Sequence, residues 1–222
     1  GQSSKPDDDY AMVTVANEVH ELIALWDWTA PLVAGQSWGA NVVLEFAHRH
    51  PGIAQSITCV DGGFIQLQDR FPVWDDAAAA MAPPKLIGTP FDRMQEWMAS
   101  SNPDWPEEGR LGQLANFEVR DDGTIAPWLT FERHLQVLRG LWEHQPSALY
   151  PEVNTPLLMI PADTGDVAWT SSKRQAVDAA IAALPHGRAE WFSPAHHDVH
   201  AQHPAKVADL LHRASTEADF FP

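Results

Sequence analysis

The sequence has a single cysteine and few positive charges. Because Cys59 is the only cysteine among 222 residues, no disulfide can form within the chain, and a reducing compartment is acceptable. The chain has 14 Lys and Arg residues against 30 Asp and Glu residues, a formal net charge of −16. Nucleic acids and anionic membranes bind basic surfaces, so this balance argues against both as partners. We therefore predict a cytoplasmic location and no nucleic-acid or membrane partner.

The sequence also lacks long apolar runs. Charge or proline interrupts every such run within about ten residues, which is too short for a helix that spans a bilayer. Hydrophobic residues make up 45% of the chain and charged residues 20%, which is typical of a folded globular protein. With 222 residues, the chain can form one domain of ordinary size, or one domain that carries an insertion.

Helical and strand-like segments alternate at both ends of the chain. Apolar residues at helical spacing predict four helices, at residues 15–26, 38–50, 171–184 and 205–214. Short apolar runs predict four buried strands, at residues 31–34, 56–60, 156–160 and 189–193. Such alternation implies right-handed crossovers between parallel strands. The predicted fold class is α/β, with a mostly parallel sheet flanked by helices.

The middle of the chain, residues 66–150, differs in composition from the two ends. It contains clustered prolines and five tryptophans: Trp74, Trp97, Trp105, Trp128 and Trp142. We predict a largely helical insertion with one β-hairpin, whose turn is Asp122-Gly123. The predicted organisation is therefore a core, residues 1–65 and 151–222, interrupted by this insertion.

Ser37 lies in the sequence GQSWG, between a predicted buried strand and a predicted helix. A strand that turns directly into a helix strains the turn residue, and small neighbours such as Gly35 and Gly39 let the two elements pack closely. The strain lifts the Ser37 hydroxyl from the sheet edge, where the N–H of Trp38 faces a developing oxyanion. Ser37 is thus a candidate nucleophile and Trp38 a candidate oxyanion donor. The alternative is a glycine-rich turn whose serine has no chemical role.

Four histidines follow the last predicted strand, in SPAHHDVHAQHP. A serine hydroxyl needs a base within hydrogen-bonding reach, most often histidine, and this loop lies at the same sheet edge as Ser37. A metal site that uses His196 and His200 is one alternative, and a structural or exposed cluster is another. No carboxylate occupies the H-E-x-x-H position, so we expect no metal and no other cofactor.

The histidine base needs a carboxylate that holds its tautomer and stabilises the imidazolium. Asp163 and Asp166 are both placed for this role, in the loop PADTGD after the third predicted strand. Either could instead cap the helix that follows. Asp61, at the end of the second predicted strand, is a third possibility.

In combination, these motifs resemble the α/β-hydrolase superfamily, in its serine-nucleophile branch. GQSSKPDDDY is similar to a G-x-G-x-S-x-K-P segment after the family's fourth strand, and GQSWG resembles its nucleophile elbow. HDVHAQHP resembles the family's G-H-x-x-H-x-x-x-P ending, which implies His197 as the catalytic base. The resemblance further implies a cap over the active site, formed by residues 66–150. With one residue inserted in the G-x-x-D motif, it implies Asp166 as the acid, and Asp163 is the alternative.

The family begins with about four further strands and an H-G loop that donates a second oxyanion N–H. Neither feature is found in these residues. We expect the chain to be part of a longer protein, and these residues alone to be unstable or inactive, because the incomplete sheet would expose an edge.

The function that the resemblance implies is hydrolysis of a carboxylic ester or related acyl substrate through Ser37, His197 and Asp166. The substrate is a small molecule, and the tryptophans of the insertion favour an apolar portion in it, unless they are ordinary core residues. One alternative keeps the triad but changes the reaction, to a C–C hydrolase, a lyase or a haloperoxidase. The other is a ligand-binding protein with a hydrolase fold and no catalysis.

Overall fold

The computed structural model describes residues 3–7 and 9–222, apart from the side chains of residues 168 and 169. In this part of the chain the helices are α1 (Met12–Leu25), α2 (Trp38–Arg49), α3 (Leu67–Arg70), α4 (Trp74–Met81), α5 (Phe91–Ser101), α6 (Glu107–Leu114), α7 (Phe131–Glu143), α8 (Val167–Ala183), α9 (Val199–Gln202) and α10 (Pro204–Thr216). The strands are β1 (Leu32–Gln36), β2 (Ser56–Val60), β3 (Phe117–Val119), β4 (Ile125–Pro127), β5 (Leu157–Ile160) and β6 (Gly187–Ala189). Two short 3₁₀ turns, Pro146–Ala148 and Tyr150–Glu152, precede β5.

Four parallel strands form the main sheet, in the order β1-β2-β5-β6. In this register Gln36 lies opposite Val60, and Val60 lies opposite Ile160. The residues that follow these three strands therefore meet at one edge of the sheet, where ligands bind in open α/β folds. The prediction of an α/β fold with a mostly parallel sheet is confirmed.

Helices cover both faces of the sheet because alternate strand residues point to opposite sides. Leu157 and Met159 of β5 join a core cluster that includes residues of α1, α2 and α8. Leu158 and Ile160 join a second cluster, with residues of α9 and α10. None of the helices that the structure describes is long and apolar enough to cross a membrane.

The predicted elements of the core are present, and their bounds differ most from the prediction in α8 and β6. Helix α8 begins at Val167, four residues before the predicted start. The last strand, β6, ends at Ala189, where we predicted its start. Pairing with the β5 side nevertheless continues irregularly, since the Phe192 N–H donates to the Pro161 carbonyl at 3.0 Å. The residues after Ala189 therefore still bond to the β5 side, although they no longer form a regular strand.

Residues 66–150 are mostly helical, as predicted, and contain the antiparallel hairpin β3–β4. Gly123 has a φ of 77° in the turn of this hairpin, a conformation that glycine adopts without steric cost. The segment also has a small apolar cluster of its own, built from Met94, Met98, Leu114 and Ile125.

Candidate active site

Ser37 occupies a strained turn between β1 and α2. Its φ of 54° and ψ of −117° are uncommon for a residue with a side chain. The Ser37 N–H donates to the carbonyl of Val60 at 2.9 Å, and the Ser37 carbonyl accepts from the Ala40 N–H at 3.0 Å. These bonds hold the turn against β2 on one side and the first turn of α2 on the other. The structure thus has the strand–turn–helix geometry that the sequence predicts around Ser37.

Two glycines allow this turn to pack closely. A Cβ on Gly35 would lie 2.0 Å from the carbonyl oxygen of Gly39, and a Cβ on Gly62 would lie 2.4 Å from that of Ser37. A Cβ on Gly39 would meet nothing within 4 Å. The expectation that Gly39 must be small is therefore wrong: its backbone, not its missing side chain, makes the close approach.

The imidazole of His197 is held by Asp61. Nδ1 of His197 donates to Oδ2 of Asp61 at 2.7 Å, between the loop after β6 and the end of β2. The side chain of Gln36, next to Ser37, donates to the His197 carbonyl at 3.3 Å and so ties the histidine loop to the turn. The expectation that Asp166 or Asp163 holds His197 does not match this geometry. Asp61, the third possibility, makes the contact.

Asp61 is almost fully buried, with 2% of its side chain exposed. Burial alone would raise the pKa of its carboxyl, but the hydrogen bonds from His197, the Ala162 N–H and Lys173 outweigh that effect and lower the pKa. The carboxylate is therefore ionised at neutral pH. In that form it accepts the Nδ1–H, so Nε2 is the ring nitrogen of His197 that can take a proton.

The two aspartates of the loop after β5 accept hydrogen bonds at the start of α8. Oδ1 of Asp163 accepts from the Thr170 hydroxyl at 2.6 Å and from the Gly165 N–H at 2.8 Å. The Thr170 and Gly165 hydrogen bonds lower the pKa of Asp163. The main-chain carbonyl of Asp166 accepts from the Thr170 N–H at 2.8 Å in the first turn of the helix. For Asp163 the capping alternative is the better description, because Oδ1 binds Gly165 and Thr170 and Oδ2 accepts from the Ser193 hydroxyl at 3.3 Å, whereas His197 binds Asp61.

Ser37, Asp61 and His197 line one cavity of about 300 Å³. Aliphatic side chains from residues 65–150 form part of its wall: Ile65, Leu67, Met81 and Leu141. None of the five tryptophans considered above is among its lining residues. Trp97 and Trp105 line a second cavity, of about 380 Å³, which also reaches His197. The apolar wall beside Ser37 is therefore aliphatic and not aromatic.

Comparison with known proteins identifies the family. Residues 1–210 match the alpha/beta hydrolase family. The chain belongs to this family. The match covers most of the chain and agrees with the sheet order and with the turn at Ser37, so the resemblance seen in the motifs is confirmed.

Solved structures share the fold of this alpha/beta hydrolase at low identity. E-2-(acetamidomethylene)succinate hydrolase is 18% identical with a TM-score of 0.71, over 94% of this chain and 75% of that one. An esterase of Mycobacterium tuberculosis is 17% identical with a TM-score of 0.70, over 95% and 71% of the two chains. An esterase from Exiguobacterium antarcticum is 14% identical with a TM-score of 0.64, over 97% and 77%.

Among curated proteins, an uncharacterized protein of Mycobacterium tuberculosis is 32% identical over 63 residues. That match covers 28% of this chain and 18% of the relative, so the alpha/beta hydrolase chain aligns with about a fifth of that protein. A match of this extent supports relatedness over a short segment only.

A buried polar network, which was not predicted, supports the loop after β2 that carries Asp61. Asn41, one turn after Ser37 in α2, accepts the Gly63 N–H at 2.9 Å and contacts Nδ1 of His144 at 2.9 Å. Nε2 of His144 lies 3.0 Å from Glu45, and the Tyr150 hydroxyl donates to the Gly63 carbonyl at 2.8 Å. The loop that carries Asp61 is thereby held at both polar groups of Gly63.

The sequence does contain a signal for a second unpredicted residue, Lys173. It shares helical spacing with Val177, Ala180 and Leu184, and all four are buried. A lysine in an apolar stripe is rarely buried unless it is paired. Its presence in the stripe of α8 therefore indicates a buried anion nearby.

Proposed function

We propose that this alpha/beta hydrolase cleaves a carboxylic ester or a related acyl substrate through a serine acyl-enzyme. Ser37 is the nucleophile, His197 the base and Asp61 the acid. The observation that carries the proposal is the 2.7 Å bond between His197 Nδ1 and Asp61, at a cavity that Ser37 also lines. A nucleophile, a base and a group that orients the base are the parts that this chemistry requires.

Acylation begins when the Ser37 Oγ attacks the substrate carbonyl carbon and Nε2 of His197 takes the hydroxyl proton. Asp61 stabilises the imidazolium that forms, because its carboxylate already accepts the Nδ1–H. The N–H of Trp38, the first residue of α2, has no partner within the helix and is suited to donate to the oxyanion. As the tetrahedral intermediate collapses, His197 gives the proton to the leaving-group oxygen.

Deacylation repeats these steps with water in place of Ser37. His197 takes a proton from water, the hydroxide attacks the acyl carbon, and the imidazolium then returns the proton to the Ser37 oxygen. The products are the carboxylic acid and the regenerated serine. No step requires a metal ion or an organic cofactor.

The cavity wall favours a substrate with an aliphatic portion next to the carbonyl. Leu67, Met81 and Leu141 supply apolar contact area there, and such pockets bind by area and shape. Two of the solved structures with this fold are named as esterases and one as a succinate-derivative hydrolase, which supports acyl cleavage as the reaction class.

Labelling with a fluorophosphonate probe tests the proposal, because the probe phosphonylates only activated serines. We expect labelling of the protein that disappears in Ser37→Ala and in His197→Ala. His196→Ala, which changes the adjacent exposed histidine, is the matched control and should label normally. Labelling that survives Ser37→Ala would contradict the proposal, and absence of labelling in the unchanged protein would favour the non-catalytic alternative.

A further inference from the structure

Lys173 is a charged residue in a place where charge is costly. Its side chain is 6% exposed, on the face of α8 that also carries Val177. A lone ammonium at such a site would become neutral or destabilise the fold, so a buried lysine needs a compensating anion and hydrogen bonds. The carboxylate that compensates Lys173 is Asp61.

The ammonium of Lys173 has a partner for each of its three N–H donors. Nζ lies 2.8 Å from Oδ1 of Asp61, 3.1 Å from Oδ2 of Asp61 and 2.7 Å from the carbonyl oxygen of Ala162. The centroid of the Phe64 ring lies 5.9 Å from Nζ. Although Lys173 also lines the cavity, no donor is left for a substrate. Its function must therefore be sought in what it does to Asp61.

The carboxylate of Asp61 is held just as completely. Oδ1 accepts from Lys173 and from the Ala162 N–H at 2.9 Å, while Oδ2 accepts from Lys173 and from His197. With Oδ1 fixed by a main-chain donor and a lysine, the carboxylate cannot rotate away from the imidazole. Oδ2 is thereby kept in the one orientation that meets Nδ1 of His197.

We propose that Lys173 is a positioning residue for catalysis, which holds Asp61 ionised and aimed at His197. Its catalytic meaning rests on the proposed function, but the ion pair itself does not. We expected the acid in the loop after β5. Instead, Ala162 of that loop donates its N–H to Asp61 and accepts from Lys173 through its carbonyl. The loop after β5 thus holds in place the carboxylate of Asp61, which follows the neighbouring strand β2.

Lys173→Met tests the proposal, because it removes the charge and retains an unbranched side chain. Burial then acts on Asp61 without the lysine, so the pKa of Asp61 rises and its protonation begins at higher pH. We expect fluorophosphonate labelling to slow about tenfold at neutral pH, and the pH profile of the Asp61 carboxyl, followed by carbon-13 NMR, to move about one pH unit higher. Lys206→Met, at an exposed lysine of α10, is the control and should leave both rate and pH profile unchanged.

A purely structural lysine would give a different result, namely lower stability with an unchanged pH profile, and that result would overturn the proposal. If Lys173→Met fails to fold, Lys173→Gln, which keeps a donor without the charge, should show the same upward shift in the titration of the Asp61 carboxyl. A carbon-13 NMR titration of the Asp61 carboxyl in the unchanged protein is independent of serine reactivity. An ordinary pKa there would refute the ion pair, even if Ser37 labels; a lowered pKa without labelling would leave the pair intact and refute the proposed function.

Discussion

The loops after β2 and β5 lie at the same edge of the sheet, and both carry aspartates. Asp61 follows β2, and its carboxylate holds His197 and Lys173. Asp163 follows β5, and its carboxylate binds the Gly165 N–H and the Thr170 hydroxyl in the turn before α8. One loop therefore faces the cavity with its carboxylate, and the other turns its carboxylate toward the helix start.

The difference shows that position at a strand end does not by itself decide which carboxylate contacts the histidine. Parallel strands in register bring several loops to one edge, but a carboxylate becomes available to a histidine only if its local bonds do not already occupy it. Thr170, in the first turn of α8, donates to Asp163 and so occupies its carboxylate locally. The described hydrogen bonds to the Asp61 carboxylate come from groups distant in sequence: the Ala162 N–H after β5, Lys173 of α8 and His197 of the histidine loop.

The largest expected effect separates the two loops directly. Asp61→Asn keeps the size of the side chain but removes the charge that fixes the His197 tautomer, so we expect the rate of fluorophosphonate labelling to fall on the order of a thousandfold or more. Asp166→Asn, in the other loop, should label at nearly the unchanged rate. The reverse ranking of these two variants would identify the loop after β5 as the source of the acid.

The second effect concerns the packing of the nucleophile turn. Gly35→Ala places a Cβ 2.0 Å from the Gly39 carbonyl oxygen, and we expect the free energy of unfolding to fall by about 3 kcal/mol. Gly39→Ala points into open space near the start of α2 and should be neutral or stabilise by up to about 1 kcal/mol. Urea unfolding of both variants measures the difference. Equal losses would mean that the close approach between the two glycines is not as described.

The third effect is the pH dependence of stability at Asp61. Its pKa is lowered on folding, so the stabilisation by its contacts is present above the unfolded pKa, about 3.9, and is lost as the pH falls through the folded value. Asp61→Asn cannot titrate. The difference in the free energy of unfolding between the unchanged protein and this variant should therefore narrow as the pH falls below about 4. Denaturant unfolding from pH 7 to pH 3 measures it, and a constant difference would contradict the assigned ionisation.

The smallest expected effect on chemistry is that of Asp163→Asn. Its bonds with Thr170 and Gly165 order the turn before α8, so we expect the Tm to fall by a few degrees. Labelling of Ser37 should stay within about twofold, since the Asp61–His197 pair is untouched. A loss of labelling without a change in Tm would return Asp163 to the list of candidate acids.

Local sequence patterns were sufficient for most of the fold. Buried runs such as residues 56–60 predicted strands at their observed positions, and GQSWG predicted the strained turn, because both depend on neighbouring residues alone. The bounds of β6 were less predictable, since they depend on how many residues keep regular hydrogen bonds with β5. The apolar stripe of α8 contained a signal that the sequence analysis did not interpret. Lys173 is a charged residue at helical spacing from residues that are buried.

The sequence by itself determined the α/β fold, the presentation of Ser37 at a strand–helix junction and the arrival of the histidine loop, residues 193–204, at the same sheet edge. Its periodicity and its glycines act over a few residues, so they can be read without coordinates. Only the tertiary structure decided that Asp61 is the carboxylate at His197 and that Lys173 and Ala162 clamp it. These contacts join residues more than a hundred positions apart, and their geometry depends on the strand order β1-β2-β5-β6.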